Sequence, residues 1–317
     1  MNVQATKFEK IFRESEIVLT EGALAVRLKS EYNITMDKHI AQGAIIYSYP
    51  KLLEGLYKQY INIAVRHSLP IMLMTPTRKT NFISVAESVY SNKNVIADNC
   101  RFLNEIRDQY PGFSGKILLG GHMGCRGDAY SGENAPGVDE SFEFHRVQAG
   151  VFKSQEIDFL FAGIMPAADE ALGMAMAMAE TGIPYIISFM IRGDGCLLDG
   201  TPISEAIKKI DAGTENKPFG YMTNCVHPAN LRRSISNGKN FGKTEMSRFI
   251  GIQANASPMS PEELNNCSIV HQDDFNTLVE EIIWLRDNSG FRIFGGCCGT
   301  DDVFLEKLTE KLVNGVK

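Results

Sequence analysis

Along the chain, short runs of β-branched and aliphatic residues alternate with longer stretches in which apolar residues recur at helical spacing. Eight such runs fall at 17–20, 70–75, 116–121, 157–161, 184–190, 219–225, 249–255 and 291–296. Runs such as KILLGG and YIISFM are apolar at successive positions, the pattern of strands buried on both faces in a parallel sheet. Between them, segments such as 169–180 and 274–287 carry apolar residues at helical intervals. Regular alternation of this kind predicts a parallel α/β architecture. Eight strands favour a closed (β/α)8 TIM barrel over an open doubly wound sheet. No Pro, Gly or Ser-rich linker divides the chain, so one domain is expected over 1–317. Two connections are long: about 50 residues after the first strand, and the Gly-rich run 123–139 after the third. The second, MGCRGDAYSGENAPGVD, is expected to lie over the site, because long loops in compact domains are usually functional.

Composition narrows the partners. The formal net charge is -6 and no segment is dense in Lys or Arg, so no phosphate-neutralising surface for nucleic acid is expected. The N-terminal MNVQATKFEKIFRESE is charged throughout, where a signal peptide needs an apolar segment, and reads as a short amphipathic lead-in. The most apolar window, 171–190, is interrupted by Glu180, Gly182 and Pro184 and does not make a membrane span. A cytoplasmic location is expected. The chain has 7 cysteines, an odd number that argues against a disulfide framework and directs attention to metal binding or catalysis.

Three of those cysteines stand apart. Cys225 closes the sixth predicted strand in YMTNCVHP, and Cys297 and Cys298 close the eighth in RIFGGCCGT. In a barrel of parallel strands both ends open on the same C-terminal face, where such proteins build their sites. Adjacent residues of a regular strand point to opposite faces, so both Cys297 and Cys298 can reach one ion only if the chain turns there. Gly295, Gly296 and Gly299 permit that turn. Three thiolates suit zinc and leave a fourth position for a substrate. Cys100, Cys125, Cys196 and Cys267 show no comparable placement and read as core or surface residues. So do Met174, Met176 and Met178, whose spacing packs them on the barrel.

An incoming thiol bound to zinc loses its proton and becomes a nucleophilic thiolate at neutral pH. A dication with three thiolates retains negative charge, which keeps that sulfur electron-rich and attracts a cationic methyl donor. Thiol alkylation is therefore the expected chemistry. By location at strand ends, Glu21 and His122 are candidate substrate contacts. His227 is a candidate neighbour of the metal ligands, and His145 is expected to be structural.

The chain resembles the zinc-dependent homocysteine S-methyltransferase family. The most specific parts are GGCCGT at 295–300 and Asn224-Cys225 followed by Pro228. EGALAVRL at 21–28, Thr75 and Thr77 in MTPTRKTN, FHRVQ at 144–148, MPAADEA at 165–171, SFMIRGDGCLLDGTPISEAI at 188–207 and NASP at 255–258 support it. The resemblance implies a (β/α)8 barrel with zinc on Cys225, Cys297 and Cys298. It places Thr75, Asn224 and the position of Gly163 in the substrate pocket, to which Glu21 and His122 are added by location. It further implies methyl transfer from a donor of the S-methylmethionine or S-adenosylmethionine class to homocysteine, giving methionine. The partners expected are thus a small-molecule thiol acceptor and a methyl donor. The single tryptophan, Trp284, lies in a predicted outer helix, which argues against an aromatic cage for a quaternary ammonium donor such as betaine.

Several positions depart from the family pattern. Relatives usually carry an acidic residue and a threonine at the end of the fourth strand, where Gly163 and Ile164 stand here. Glu21 replaces an aspartate, Ala25-Val26 a Gly-Thr pair, Pro76 an asparagine, and GGHMG a Gly-Pro-Tyr-Gly. These exchanges point to an acceptor other than an ordinary α-amino thiol. A protein that acts with a corrinoid partner, or a zinc-holding barrel without catalysis, are the alternative readings.

Overall fold

In the computed structural model, which describes residues 5–264 and 273–315, eight parallel strands close into a barrel in sequential order. They are β1 (Val18–Thr20), β2 (Ile71–Met74), β3 (Ile117–Gly124), β4 (Phe159–Met165), β5 (Tyr185–Phe189), β6 (Gly220–Val226), β7 (Phe249–Ala254) and β8 (Ile293–Gly296). Each lies within or beside a predicted run. The helices expected near 169–180 and 274–287 appear as Ala168–Ala179 and Phe275–Ser289. The long first connection contains three α-helices, Ala25–Ser30, Ile45–Ser48 and Pro50–His67. No helix among the described residues is long and apolar enough to cross a membrane. Cys267 lies outside the described residues.

Alternate residues of each strand divide the core into two layers, as the strand period of two requires. Val18, Met72, Leu118, Phe161, Ile186, Met222 and Ile293 fill the barrel interior. Leu19, Leu73, Leu119, Leu160 and Ile187 face the surrounding helices, with Met174 and Met178 packed fully buried on the outer side. The amphipathic lead-in is the helix Lys7–Glu14, started by a Thr6–Glu9 capping box. It plugs the bottom of the barrel. Phe8 and Phe12 are buried against Phe219, with ring centroids 4.8 and 4.7 Å away. Burial of each ring contributes roughly 1.5–3 kcal/mol, and with the bottom filled, the open C-terminal mouth holds the cavity.

Two strands run further than their apolar signal. β3 continues to Gly124 and β4 to Met165, past the expected ends at 121 and 161. Pairing across the sheet extends them, with Met123 opposite Ala162 and Gly124 opposite Gly163. The register of β4 against β5 shifts between Ala162 and Met165, and that of β6 against β7 between Asn224 and Val226. Both irregularities sit at the mouth, where bulges re-aim side chains.

Candidate metal centre

The bulges carry the site. Ile164 and Cys225 adopt the left-handed region, at φ 49° and 62°. A β-branched residue there is strained, and neighbours must hold it in place. For Ile164, the holder is Asn224, whose Oδ1 accepts from the Ile164 N–H at 2.8 Å and from the Ser188 hydroxyl at 2.7 Å. For Cys225, the backbone carbonyl accepts from Asn255 Nδ2 at 3.4 Å, and the same amide lies 3.5 Å from the Cys225 sulfur. The kink turns the thiol into the mouth.

Beyond β7, which separates it from β6, β8 ends in the expected turn. The Cys297 N–H donates to the Ala254 carbonyl at 2.7 Å, and the Cys298 carbonyl accepts from the Ala256 N–H at 2.9 Å. Thr300 closes the turn by donating its hydroxyl to the Cys297 carbonyl at 2.7 Å, and Gly299 takes φ 79°. Gly295 and Gly296 are required for space: a Cβ would meet the Thr20 and Thr300 hydroxyl oxygens at 1.9 and 2.0 Å.

The result brings the three predicted sulfurs together. The Sγ atoms of Cys225, Cys297 and Cys298 all lie within 4.8 Å of one another, with 3.4 Å between Cys225 and Cys298. Zinc–sulfur bonds of roughly 2.3 Å in a tetrahedron set sulfurs roughly 3.8 Å apart, so the trio fits such an ion after small adjustment. The donor set fits as well, being three soft ligands on two rigid strand ends. Among the thiols alone, Cys225 is the one favoured as thiolate, because Cys297, Cys298 and the Tyr130 hydroxyl hydrogen-bond to it. Hydrogen bonds with Cys225 and Cys298, then burial and the Cys225 charge, hold the Cys297 thiol up. A buried cluster that disfavours a second negative charge is one that a cation would relieve.

Tyr130 is a contact that residue-by-residue reading of the sequence missed. It lies in the Gly-rich loop after β3, and its hydroxyl stands 3.1 Å from the Cys225 sulfur. The loop does reach over the site as expected. A buried carboxylate anchors it: Glu170 Oε1 accepts from the Arg126 N–H at 2.6 Å and lies 3.1 Å from His145 Nε2. His145 thus has the structural place assigned to it. The only sign of Tyr130 in the sequence was an aromatic residue within a polar, Gly-rich loop.

A cavity of about 170 Å³ opens beside the sulfurs and is lined by Glu21, Thr75, His122, Asn224 and all three cysteines. Glu21 accepts from the Met74 N–H through both oxygens, at 3.2 and 3.3 Å, and burial pushes its carboxyl up to about 8. Thr75 accepts from the His122 N–H at 3.0 Å and lies 2.7 Å from the Thr77 hydroxyl, which donates to the His122 carbonyl at 2.8 Å. The two threonines therefore fix the backbone of His122. Burial, with a smaller effect of the Arg78 charge, pushes the imidazole down to about 3 and keeps it neutral.

Gly163 is the exception among the expected pocket residues. It does not line the cavity, because the His122 ring lies over it: a Cβ at 163 would fall 2.2 Å from His122 Nε2. His227 is also away from the cavity. Its Nδ1 caps the helix Pro228–Ser236 by accepting from the Ala229 N–H at 3.2 Å. Cys100 and Cys196 are buried, and Cys125 half-buried, outside the cluster.

Fold and site together define a (β/α)8 barrel with three cysteine sulfurs gathered in its mouth. The sequence model of the homocysteine S-methyltransferase family matches residues 18–312, and the chain belongs to that family of methyltransferases. It is 22% identical over 183 residues to the S-methylmethionine–homocysteine S-methyltransferase BHMT2 of Mus musculus, a match over 53% of this chain and 48% of that protein. The chain thus spans about half the length of that curated relative. Among solved structures, the metallated form of the homocysteine methyltransferase MmuM from Escherichia coli superposes with a TM-score of 0.76 at 18% identity, covering 96% of this chain and 99% of that one. The oxidized form of the same protein also gives 0.76, over 97% of this chain. These likenesses establish the TIM-barrel fold.

Proposed function

We propose that the protein is a zinc-dependent thiol methyltransferase that takes a methyl group from a cationic donor of the S-methylmethionine or S-adenosylmethionine class. Its acceptor is homocysteine or a close thiol analogue, and with homocysteine the product is methionine. One observation carries the reading: sulfurs from two distant strand ends meet at the wall of a cavity large enough for a small thiol. Bound to Cys225, Cys297 and Cys298, zinc would act as a Lewis acid that removes the acceptor's thiol proton at neutral pH.

The chain's own residues do the positioning. The strained turn at Cys225 and the glycine turn at Cys298 aim their sulfurs at a common point, and Tyr130 holds the Cys225 sulfur from the loop side. Asn224 has its oxygen engaged with Ile164 and Ser188, which leaves its Nδ2 group for a guest in the cavity. Methyl transfer needs sulfur, carbon and leaving group in line, so rigid placement of the acceptor is the main contribution expected of the protein.

The test is metal analysis and product detection on the same preparation. Reduced, zinc-loaded protein should hold one equivalent of zinc and convert homocysteine with S-methylmethionine or S-adenosylmethionine to methionine, detected by mass spectrometry. Cys298→Ala should lose both the zinc and the product. Methionine formation that survives this substitution would refute the reading.

A further inference from the structure

The mouth of the barrel holds a second constructed feature beside the sulfurs. Gly124 of β3 and Gly163 of β4 are register partners. A Cβ on Gly163 would fall 2.2 Å from His122 Nε2, and one on Gly124 would fall 2.5 Å from Arg78 Cγ. Two adjacent glycines therefore form a platform on which the His122 ring and the stem of Arg78 lie. Both residues line the cavity. Where the chain has no side chain at 163, it supplies an imidazole and a guanidinium.

The charge of this wall is positive. Arg78 and Lys79 line the cavity together, and neither has a hydrogen-bond or salt-bridge partner among the described residues. Asp128, the acid nearest in effect to Lys79, is engaged by the N–H groups of Tyr130 and Ser131, both at 2.8 Å. His122 Nε2 is buried without a partner. Glu21, the cavity's carboxylate, is engaged by Met74 and is largely protonated at neutral pH. A guanidinium without a partner attracts an anion, and a neutral imidazole beside it has one N–H to add to the same site. An ammonium group would meet two like charges here instead.

We infer that Arg78 and His122 form a subsite for an anionic group of the acceptor, so that the preferred thiol carries a carboxylate or similar anion and does not require an α-amino group. This rests on the thiol-transfer reading above. Arg78 is the specificity determinant; Gly124 leaves the space for its stem, and Gly163 the space for the His122 ring beside it.

Three thiols of one length separate the groups: homocysteine, γ-mercaptobutyrate, which lacks the amino group, and aminopropanethiol, which lacks the carboxylate. Their binding to the zinc-loaded full chain is measured by calorimetry without donor, alongside S-methylmethionine alone. γ-Mercaptobutyrate should bind within a few-fold of homocysteine, and aminopropanethiol roughly tenfold or more weaker, the size of one lost charge-assisted contact. Arg78→Met should weaken γ-mercaptobutyrate by a similar factor and, because it removes one like charge, leave aminopropanethiol no weaker, with Arg78→Lys in between. Equal binding of aminopropanethiol and γ-mercaptobutyrate by the unmodified protein would overturn the subsite while leaving thiol transfer intact. So would an Arg78→Met effect confined to S-methylmethionine, which would assign the anion to the donor. Failure of all three thiols to bind protein that holds zinc would overturn both.

Discussion

Gly163→Ala tests the geometry at the mouth most directly. The added methyl would lie 2.2 Å from His122 Nε2 and 3.1 and 3.3 Å from two ring carbons. Ordinary contact needs about 3.5–4.0 Å, so the ring must retreat by more than an ångström. Its backbone cannot follow, because Thr75 and Thr77 hold the N–H and carbonyl of His122 at 3.0 and 2.8 Å. Overpacking of this kind costs about 1–3 kcal/mol. The loss is read as a lowered urea midpoint at unchanged slope. His122→Ala removes the obstacle, so the double variant should recover most of the loss that Gly163→Ala causes alone, with a coupling of about 0.5–3 kcal/mol. Because His122 lines the cavity, the single variant should also weaken thiol binding. An unchanged midpoint in Gly163→Ala, or purely additive effects in the double variant, would show that the ring does not lie over position 163.

Further consequences concern the buried carboxylates. The carboxyl of Glu21 is raised from 4.5 to about 8, chiefly by burial, so the folded chain binds a proton there that the unfolded chain has already released. That contribution to stability is complete below pH 4.5 and is lost as the pH climbs towards about 8. Glu21→Gln should flatten the fall of the urea midpoint across this window and leave the variant the more stable form at its upper end; an unaltered pH profile would contradict the assignment. Glu170→Ala should free the Arg126 N–H and leave the fully buried His145 without this partner, at a cost of about 1–3 kcal/mol. It should also release the loop that carries Tyr130, seen as faster amide exchange over 125–137 than in the parent protein. Unchanged exchange there would mean that Glu170 does not anchor the loop.

Much of the architecture is local information, and it was legible. Runs such as 116–121 and 184–190 encode buried strands in contiguous residues, because a strand apolar on both faces needs no reference to its partners. The convergence of Cys225 with Cys297 and Cys298 followed from the same source, since a closed parallel barrel places all C-terminal strand ends on one face. The glycines around Cys297 likewise announced a turn before its hydrogen bonds were known.

What only the tertiary structure decided lies where the backbone depends on a neighbouring strand. The continuation of β4 through Gly163 and Ile164 has no β-branched run behind it and exists because β3 pairs alongside. The left-handed turn at Cys225 is held by Asn255, 30 residues away, and Tyr130 reaches that sulfur across 95 residues. Gly163 read as a lost side chain when taken alone, whereas His122 occupies the space above it. Hydrophobic periodicity is written residue by residue, but bulges, platforms and pocket walls arise from contacts between segments far apart in the chain, and no single segment specifies them.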